Sequence, residues 1–373
     1  MKSETRVCKL VLGNGFDLYC QLNTRYPDYF NDQIKGKYAQ FPKWGKKVRG
    51  CIYNLNATND NEVYIPNIKL TDDINVWDVL FYYESGRKNR KNWCDVESFI
   101  YNFFYLKQSH GDTYFDILYE RINEKKFASN DESWLNYPTL YFLTIEAPTK
   151  TKIEFATYLL TELFKFEKHF GEYVYNEFLE KLESDYKPKL NYFFNDVFTK
   201  WDIQSIDTFN YTPIETAISD YESSIVNHIN GDFKAPIFGI DSSKFSSRNP
   251  GYIFTKTYRR MTADFYEGET IKCSLNSDFD DLVIFGHSLN EQDYNYYFPL
   301  FDYMNLMDVS STKGILFYYH IYDGKKERII KNGNVKNLIE MLNAYEKYKT
   351  DKNDEFRLVD SLSSQGRLRF RKI

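Results

Sequence analysis

Long hydrophobic runs are missing from this chain. No apolar stretch approaches the roughly 18 residues of a membrane-spanning helix, and mean hydropathy is −0.58. The first apolar segment, Val7–Leu12, is short and broken by Lys9, so it does not read as a secretory leader. Charge of one sign is missing too. Lys plus Arg total 48 against 53 Asp plus Glu, a net of −5, which gives no broad basic face for a duplex, and nucleic acid is not an expected partner. The five cysteines, Cys8, Cys20, Cys51, Cys94 and Cys273, are odd in number, scattered and never in CxxC spacing. That argues against disulfides and zinc, and for a protein of the reducing cytoplasm. A GxxxxGK[ST] loop and an HExxH pair are both absent, so neither a P-loop nucleotidase nor a metal centre is expected. No repeat and no low-complexity linker divides the chain.

Aromatic residues are abundant: 33 Tyr, 31 Phe and 5 Trp make 18% of 373 residues. Many of them recur at helical spacing. Thr151–Glu183 carries Leu160, Leu163, Phe164, Phe170, Val174, Phe178, Leu179 and Leu182 at three- and four-residue intervals, and Asp95–Leu106 and Asn334–Tyr348 repeat the pattern. Asn332-Gly333 reads as a turn ahead of the last of these. Short β-branched runs lie toward the two ends of the chain: Val7–Leu12, Ser205–Phe209, Ile225–His228, Leu282–Phe285 and Gly314–Tyr322. Each is bounded by Gly, Asn, Asp or Ser, as buried strands of a mainly parallel sheet are. The expected fold is therefore α/β and Rossmann-like, with flanking helices. Residues 1–30 and 200–373 would form the nucleotide-binding domain, interrupted by a mainly α-helical insertion over 31–199.

Polar clusters follow four of these strands. Gly13-Asn14-Gly15-Phe16-Asp17 follows the first, Thr208-Phe209-Asn210-Tyr211-Thr212 the second, His228-Ile229-Asn230-Gly231 the third, and Gly286-His287-Ser288-Leu289, leading to Asp293, the fourth. Ligands of open parallel sheets bind beyond the carboxyl ends of the strands, so four such clusters point to one crevice. Gly13-x-Gly15 would let a phosphate approach the backbone at a helix start, although taken alone it reads first as a plain strand-to-helix turn capped by Asp17. Asn210 reads either as a turn former or as an amide aimed at a ribose or a water. His228 and His287, two of five histidines, read as bases or as structural residues. Asp278, Asp280 and Asp281 read as a solvated loop, and Arg367, Arg369, Arg371 and Lys372 as a charged tail.

In this order the motifs resemble the AbiH family of bacterial phage abortive-infection proteins. Trp93 and Glu97, Phe238-Gly239-Ile240-Asp241 and Lys256-Thr257-Tyr258 add to the likeness. More distantly, Gly13-Asn14-Gly15 resembles the Gly-Ala-Gly turn of sirtuin-like NAD-binding domains. Thr208–Thr212 is similar to their Thr-Gln-Asn-Ile-Asp motif, and Gly286-His287-Ser288-Leu289 to their Gly-Thr-Ser-Leu motif. Two positions depart from those patterns: Asn230 stands where a catalytic His precedes Gly231, and Thr212 stands where an Asp is expected.

The resemblance implies an anti-phage effector that binds NAD or a related nucleotide and hydrolyses its N-glycosidic bond. Asn210, His228, His287 and Asp17 would be the catalytic group. Gly13, Asn14, Gly15, Phe16, Tyr211, Gly231, Gly286 and Ser288 would line the nucleotide, with Phe16, Phe209 and Tyr211 as ring walls. It also implies a phage-derived trigger, and a gate such as self-association. Asn230 keeps a second reading open, a silent nucleotide sensor, and the defence setting a third, a metal-dependent nuclease.

Overall fold

The computed structural model describes residues 6–41, 73–87, 96–107, 111–124, 143, 147–148, 150–199, 201–218, 226–243, 245–262, 278–321, 327–350 and 357–373. Two units divide the chain. One comprises Met1–Thr24, Gly171–Pro236 and Asp264–Ile373, and the other Arg25–Phe170 and Ile237–Ala263.

The first unit is built on six parallel strands: β1 (Arg6–Leu12), β2 (Trp201–Thr208), β3 (Val226–His228), β4 (Asp281–Phe285), β5 (Gly314–Tyr319) and β6 (Leu368–Lys372). Their order is β3-β2-β1-β4-β5-β6, and every neighbouring pair is parallel. The α/β, mainly parallel expectation holds, and this is the order of a doubly wound nucleotide-binding sheet. Alternation along β1 divides its side chains between two cores. Cys8, Leu10 and Leu12 pack with Phe178, Tyr186, Leu190 and Phe193 on one face. Val11 packs on the other with the helices Tyr294–Tyr303, Glu327–Lys349 and Leu358–Ser364.

Two local readings change. Asn332-Gly333 is no turn, because the helix Glu327–Lys349 runs straight through it. Burial of Leu338, Met341, Leu342 and Tyr345 outweighs a glycine whose Cα faces open space. The charged tail is in fact β6, an edge strand paired along β5. Its arginines suit an edge that must not recruit another chain.

In the second unit the helices Tyr26–Lys35, Val76–Arg87, Val96–Tyr105 and Tyr114–Glu124 join residues 152–170 of the long helix Lys152–Lys181 and the short helix Lys256–Thr262. Its interior is aromatic: Phe81 lies edge-on to Phe99 and Phe166, and Phe104 meets Phe254 at 4.4 Å between centroids. A buried Arg259–Glu167 pair at 2.7 Å also holds Phe238, whose N–H donates to Glu167. Lys256 reaches Glu97 at 3.2 Å, so the residues that carried the family likeness here serve packing. Trp93 lies outside the described residues.

Candidate functional site

β1 is the switch point of the sheet: the chain builds outward through β2 and β3 on one side and through β4 to β6 on the other. The loops after β1 and β4 meet there, and they meet tightly. Gly13 N–H donates to Phe285 O at 3.0 Å and Gly15 N–H to Gly286 O at 2.8 Å. A Cβ on Gly13 would collide with the backbone of His287, one on Gly15 would lie 2.6 Å from Gly286 Cα, and Gly286 itself sits at φ +70°. These glycines are therefore required by loop-on-loop packing. The N–H groups of Gly13 and Gly15 are thereby spent on β4 and its loop.

Phe16 is not a ring wall. It is fully buried and packs edge-on against Tyr186, Phe193 and Phe285. Phe209 lies 4.2 Å from the His287 ring and stacks toward Tyr297. Tyr211 is half-buried and Ser288 exposed, the latter's carbonyl accepting from Asn337 Nδ2 at 2.9 Å. Gly231 adopts φ +77°, the turn that ends β3.

Asp17, Asn210 and Thr212 form the centre of the cluster. The cap of the helix Asn14–Tyr19 is Gly13, so Asp17 does not cap; its carboxylate is buried inside the first turn. It accepts from Asn210 Nδ2 at 3.0 Å and from Thr212 Oγ1 at 3.0 and 3.1 Å. Thr24, which no sequence motif signalled, donates to Asn14 Oδ1 at 2.6 Å and lies 3.4 Å from Asp17 Oδ2. Burial disfavours the charged carboxylate and pushes its pKa up to about 7. The bonds from Thr212, Asn210 and Thr24, and the positive charge of His228, pull the other way without prevailing.

Asn210 is 5% exposed. Its Nδ2 donates to Gly13 O at 3.1 Å as well as to Asp17. Two acceptors fix which end of the amide is nitrogen, and leave Oδ1 a buried acceptor with no hydrogen-bond partner among the described residues. An orphan of this kind costs about 1–3 kcal/mol. Native structures rarely leave one without a functional reason or a bound water.

Both candidate histidines are committed. His228 Nε2 lies 3.0 Å from Glu215 Oε2 and Nδ1 lies 3.3 Å from Asn210 O. Both partners are acceptors, so both nitrogens carry protons and the ring is an imidazolium. Burial opposes that charge, but the bond to Glu215 and its negative charge overcome it and raise the pKa. Burial likewise opposes ionisation of Glu215, and His228 outweighs it, lowering that pKa. Glu215 sits on the 3-10 turn Ile214–Thr216; only its position five residues past Asn210 could have hinted at it. His287 Nδ1 accepts from Leu289 N–H at 2.9 Å, and Nε2 lies 3.6 Å from Asp293. Neither ring has a lone pair ready for base catalysis. Among the described residues no three His, Cys, Asp or Glu gather to hold a metal ion.

A family model described as bacteriophage abortive infection AbiH matches residues 10–313. The chain belongs to the AbiH family. The match runs from β1 to the residue before β5 and contains every site residue named above. No curated protein and no solved structure matches this AbiH chain. Among its described residues no helix is long and apolar enough to cross a membrane.

Proposed function

We propose that this AbiH protein acts in abortive infection by binding NAD or a related nucleotide at the carboxyl ends of β1 to β3 and hydrolysing its N-glycosidic bond. The orphaned Oδ1 of Asn210 carries the proposal. It is an acceptor held in place from behind, suited to a ribose hydroxyl or to the hydrogen of an attacking water.

In the reaction the C1′–N bond breaks with its electron pair going to the nicotinamide nitrogen, which leaves neutral. Water oxygen bonds to C1′, and one proton is released. The ribose carries oxocarbenium charge in the transition state, so acceptors fixed beside C1′ stabilise it more than the ground state. Asp17 polarises the Asn210 amide through its N–H, making Oδ1 a stronger acceptor. With a pKa of about 7, Asp17 is also the group able to take the proton near neutrality. His228, in place of base work, supplies cationic charge for the nucleotide diphosphate and anchors the Asn210 carbonyl. Gly13, Gly15 and Gly286 shape the loops around it, with Asn14, Tyr211, Gly231 and Ser288 at the rim. Cytoplasmic location, a phage-derived trigger and self-association as the gate belong to the same reading.

The committed histidines favour one alternative, a sensor that binds the nucleotide without cleaving it. Nicotinamide release from NAD by the purified protein and by Asn210→Ala, with and without phage components, decides between them. Hydrolysis lost by at least about 100-fold in a folded Asn210→Ala protein is expected. NAD or ADP-ribose binding with no release under any condition would leave only the sensor.

A further inference from the structure

At the opposite, amino end of the same sheet, a cleft of about 340 Å³ is lined by Arg6, Asp281, Ser310–Thr312, Gly314 and Gln365–Arg369. Strand starts build it: Arg6 opens β1, Asp281 opens β4, Gly314 opens β5, and Arg367 and Arg369 flank the first residue of β6. Arg367 is a structural tie. Its guanidinium donates to Lys313 O at 2.8 Å, Asp308 O at 3.0 Å and Gln365 Oε1 at 3.0 Å, and it reaches Leu306 O at 3.4 Å.

Arg6 and Arg369 are different. They share a single carboxylate: Arg6 Nε lies 2.7 Å from Asp281 Oδ2 and Arg369 Nη2 lies 2.5 Å from Asp281 Oδ1. One carboxylate thus serves two guanidiniums, and neither arginine has a second ion-pair partner among the described residues. Arg369 Nε, moreover, is a buried donor with no hydrogen-bond partner among the described residues, and Arg6 Nε and Asp281 Oδ2 approach each other without an aligned hydrogen bond. Among the described residues the further hydrogen bond of Arg6 is a long one, Nη2 to Thr312 O at 3.4 Å. Of the neighbouring acids, Asp278 pairs with Lys313 at 3.0 Å, whereas Asp280, which accepts from Val7 N–H, and Asp308, which accepts from Ser310, add negative charge beside Asp281 and Arg367 without bonding either Arg6 or Arg369 among the described residues.

We propose that this cleft is a second binding site, which takes the phosphate group of a small phosphomonoester. Paired guanidinium forks match phosphate oxygens better than any other side-chain arrangement. The volume lies at the lower end of small-ligand sites, and hydroxyls of Ser310, Ser311 and Thr312 edge it. The site is separate from the Asn210 crevice and would stand even if that crevice proved not to bind NAD.

The test is calorimetric titration of the full chain with inorganic phosphate, AMP and adenosine at low ionic strength, with circular dichroism to confirm folding of each variant. Phosphate and AMP should bind saturably, adenosine should not bind in the cleft, and added salt should weaken the binding. AMP tighter than phosphate, with the excess lost in Arg369→Gln, identifies a phosphomonoester as the ligand of the cleft; AMP no tighter than phosphate, or an excess that Arg369→Gln leaves intact, overturns the phosphomonoester. Arg369→Gln should weaken phosphate binding at least about tenfold, with Arg369→Lys between it and the parent because the charge stays and the fork is lost. Asp281→Asn should tighten phosphate binding, since it removes the competing anion, a gain that a purely structural role for Asp281 would not produce. Asn210→Ala should leave phosphate affinity unchanged. Absence of saturable phosphate binding at millimolar concentration, or affinity unmoved by Arg369→Gln and by Asp281→Asn, overturns the proposal.

Discussion

Two buried polar networks lie along the same pair of strands, and they are finished differently. Midway along β1 and β2, Lys9 Nζ sits 2.9 Å from Asp207 Oδ2 and donates to Ser205 Oγ at 2.9 Å, with neither charged side chain exposed. Tyr296 donates to Asp207 Oδ2 at 2.5 Å and Asn227 to Oδ1 at 2.8 Å. Both carboxylate oxygens of Asp207 are thus occupied, and a full positive charge faces the negative one. At the strand ends, among the described residues, Asp17 has donors but no cation bonded to it, and Asn210 keeps an acceptor empty. A saturated network locks a structure, whereas one that carries a neutral-range pKa and an open acceptor is poised for chemistry. Lys9 marks the first and Asn210 the second.

The largest effect should come from breaking the saturated network. Lys9→Met leaves Asp207 buried and uncompensated, and should cost about 3–5 kcal/mol in denaturant unfolding. Lys9→Met with Asp207→Asn should recover much of that loss, and the folded fraction of either protein should keep its activity per molecule. Loss of activity without loss of stability in Lys9→Met would erase the distinction between the networks.

Asp17 should respond in the opposite manner. An aspartate that titrates near 3.8 when unfolded and near 7 when buried binds a proton more tightly in the folded state. Its contribution therefore favours folding fully below about pH 3.8 and is lost as pH rises to about 7. At neutral pH the buried charge costs up to about 4 kcal/mol. Asp17→Asn should flatten the fall in unfolding free energy between pH 4 and 7 and stabilise the protein above it, while NAD hydrolysis disappears. In the parent, kcat/KM should rise with pH through about 7. A flat profile there would remove Asp17 as the proton acceptor.

Much of this arrangement was legible in the sequence, for a physical reason. β4 and β5 are buried at every residue, and β1 from Cys8 onward, so their runs are largely apolar and end abruptly at turn residues. β6 escaped because Leu368 and Phe370 alternate with Arg369 and Arg371, a short and highly charged pattern that reads as a tail. The glycines announced a constraint but not its object: Gly13 and Gly15 are shaped by Gly286, some 270 residues away, a contact that no local pattern encodes. Lys9 was visible as the one charge in an apolar strand, and its meaning required Asp207. Glu215 and Thr24 lie outside every motif, and only folding brings them to His228 and Asp17.

The His228–Glu215 pair gives the smallest effect and the sharpest test of how the open network is held. His228 has its pKa raised, so its contribution is complete below the unfolded histidine value of about 6.5 and fades as pH climbs through the folded one. Glu215 has its pKa lowered, so its contribution is complete above about 4.5 and fades as pH falls through its own folded value. The pair is strongest between the two folded values, and Glu215→Gln should cost about 1.5–3 kcal/mol there. The same substitution should return the His228 titration, followed by NMR of the ring protons, toward or below an ordinary histidine value, because burial then acts unopposed. If His228 serves the site by anchoring the Asn210 carbonyl and by its charge, Glu215→Gln should raise KM for NAD near and above neutral pH and leave kcat nearly unchanged. A fall in kcat with KM fixed would instead make His228 the proton acceptor and displace Asp17 from that role.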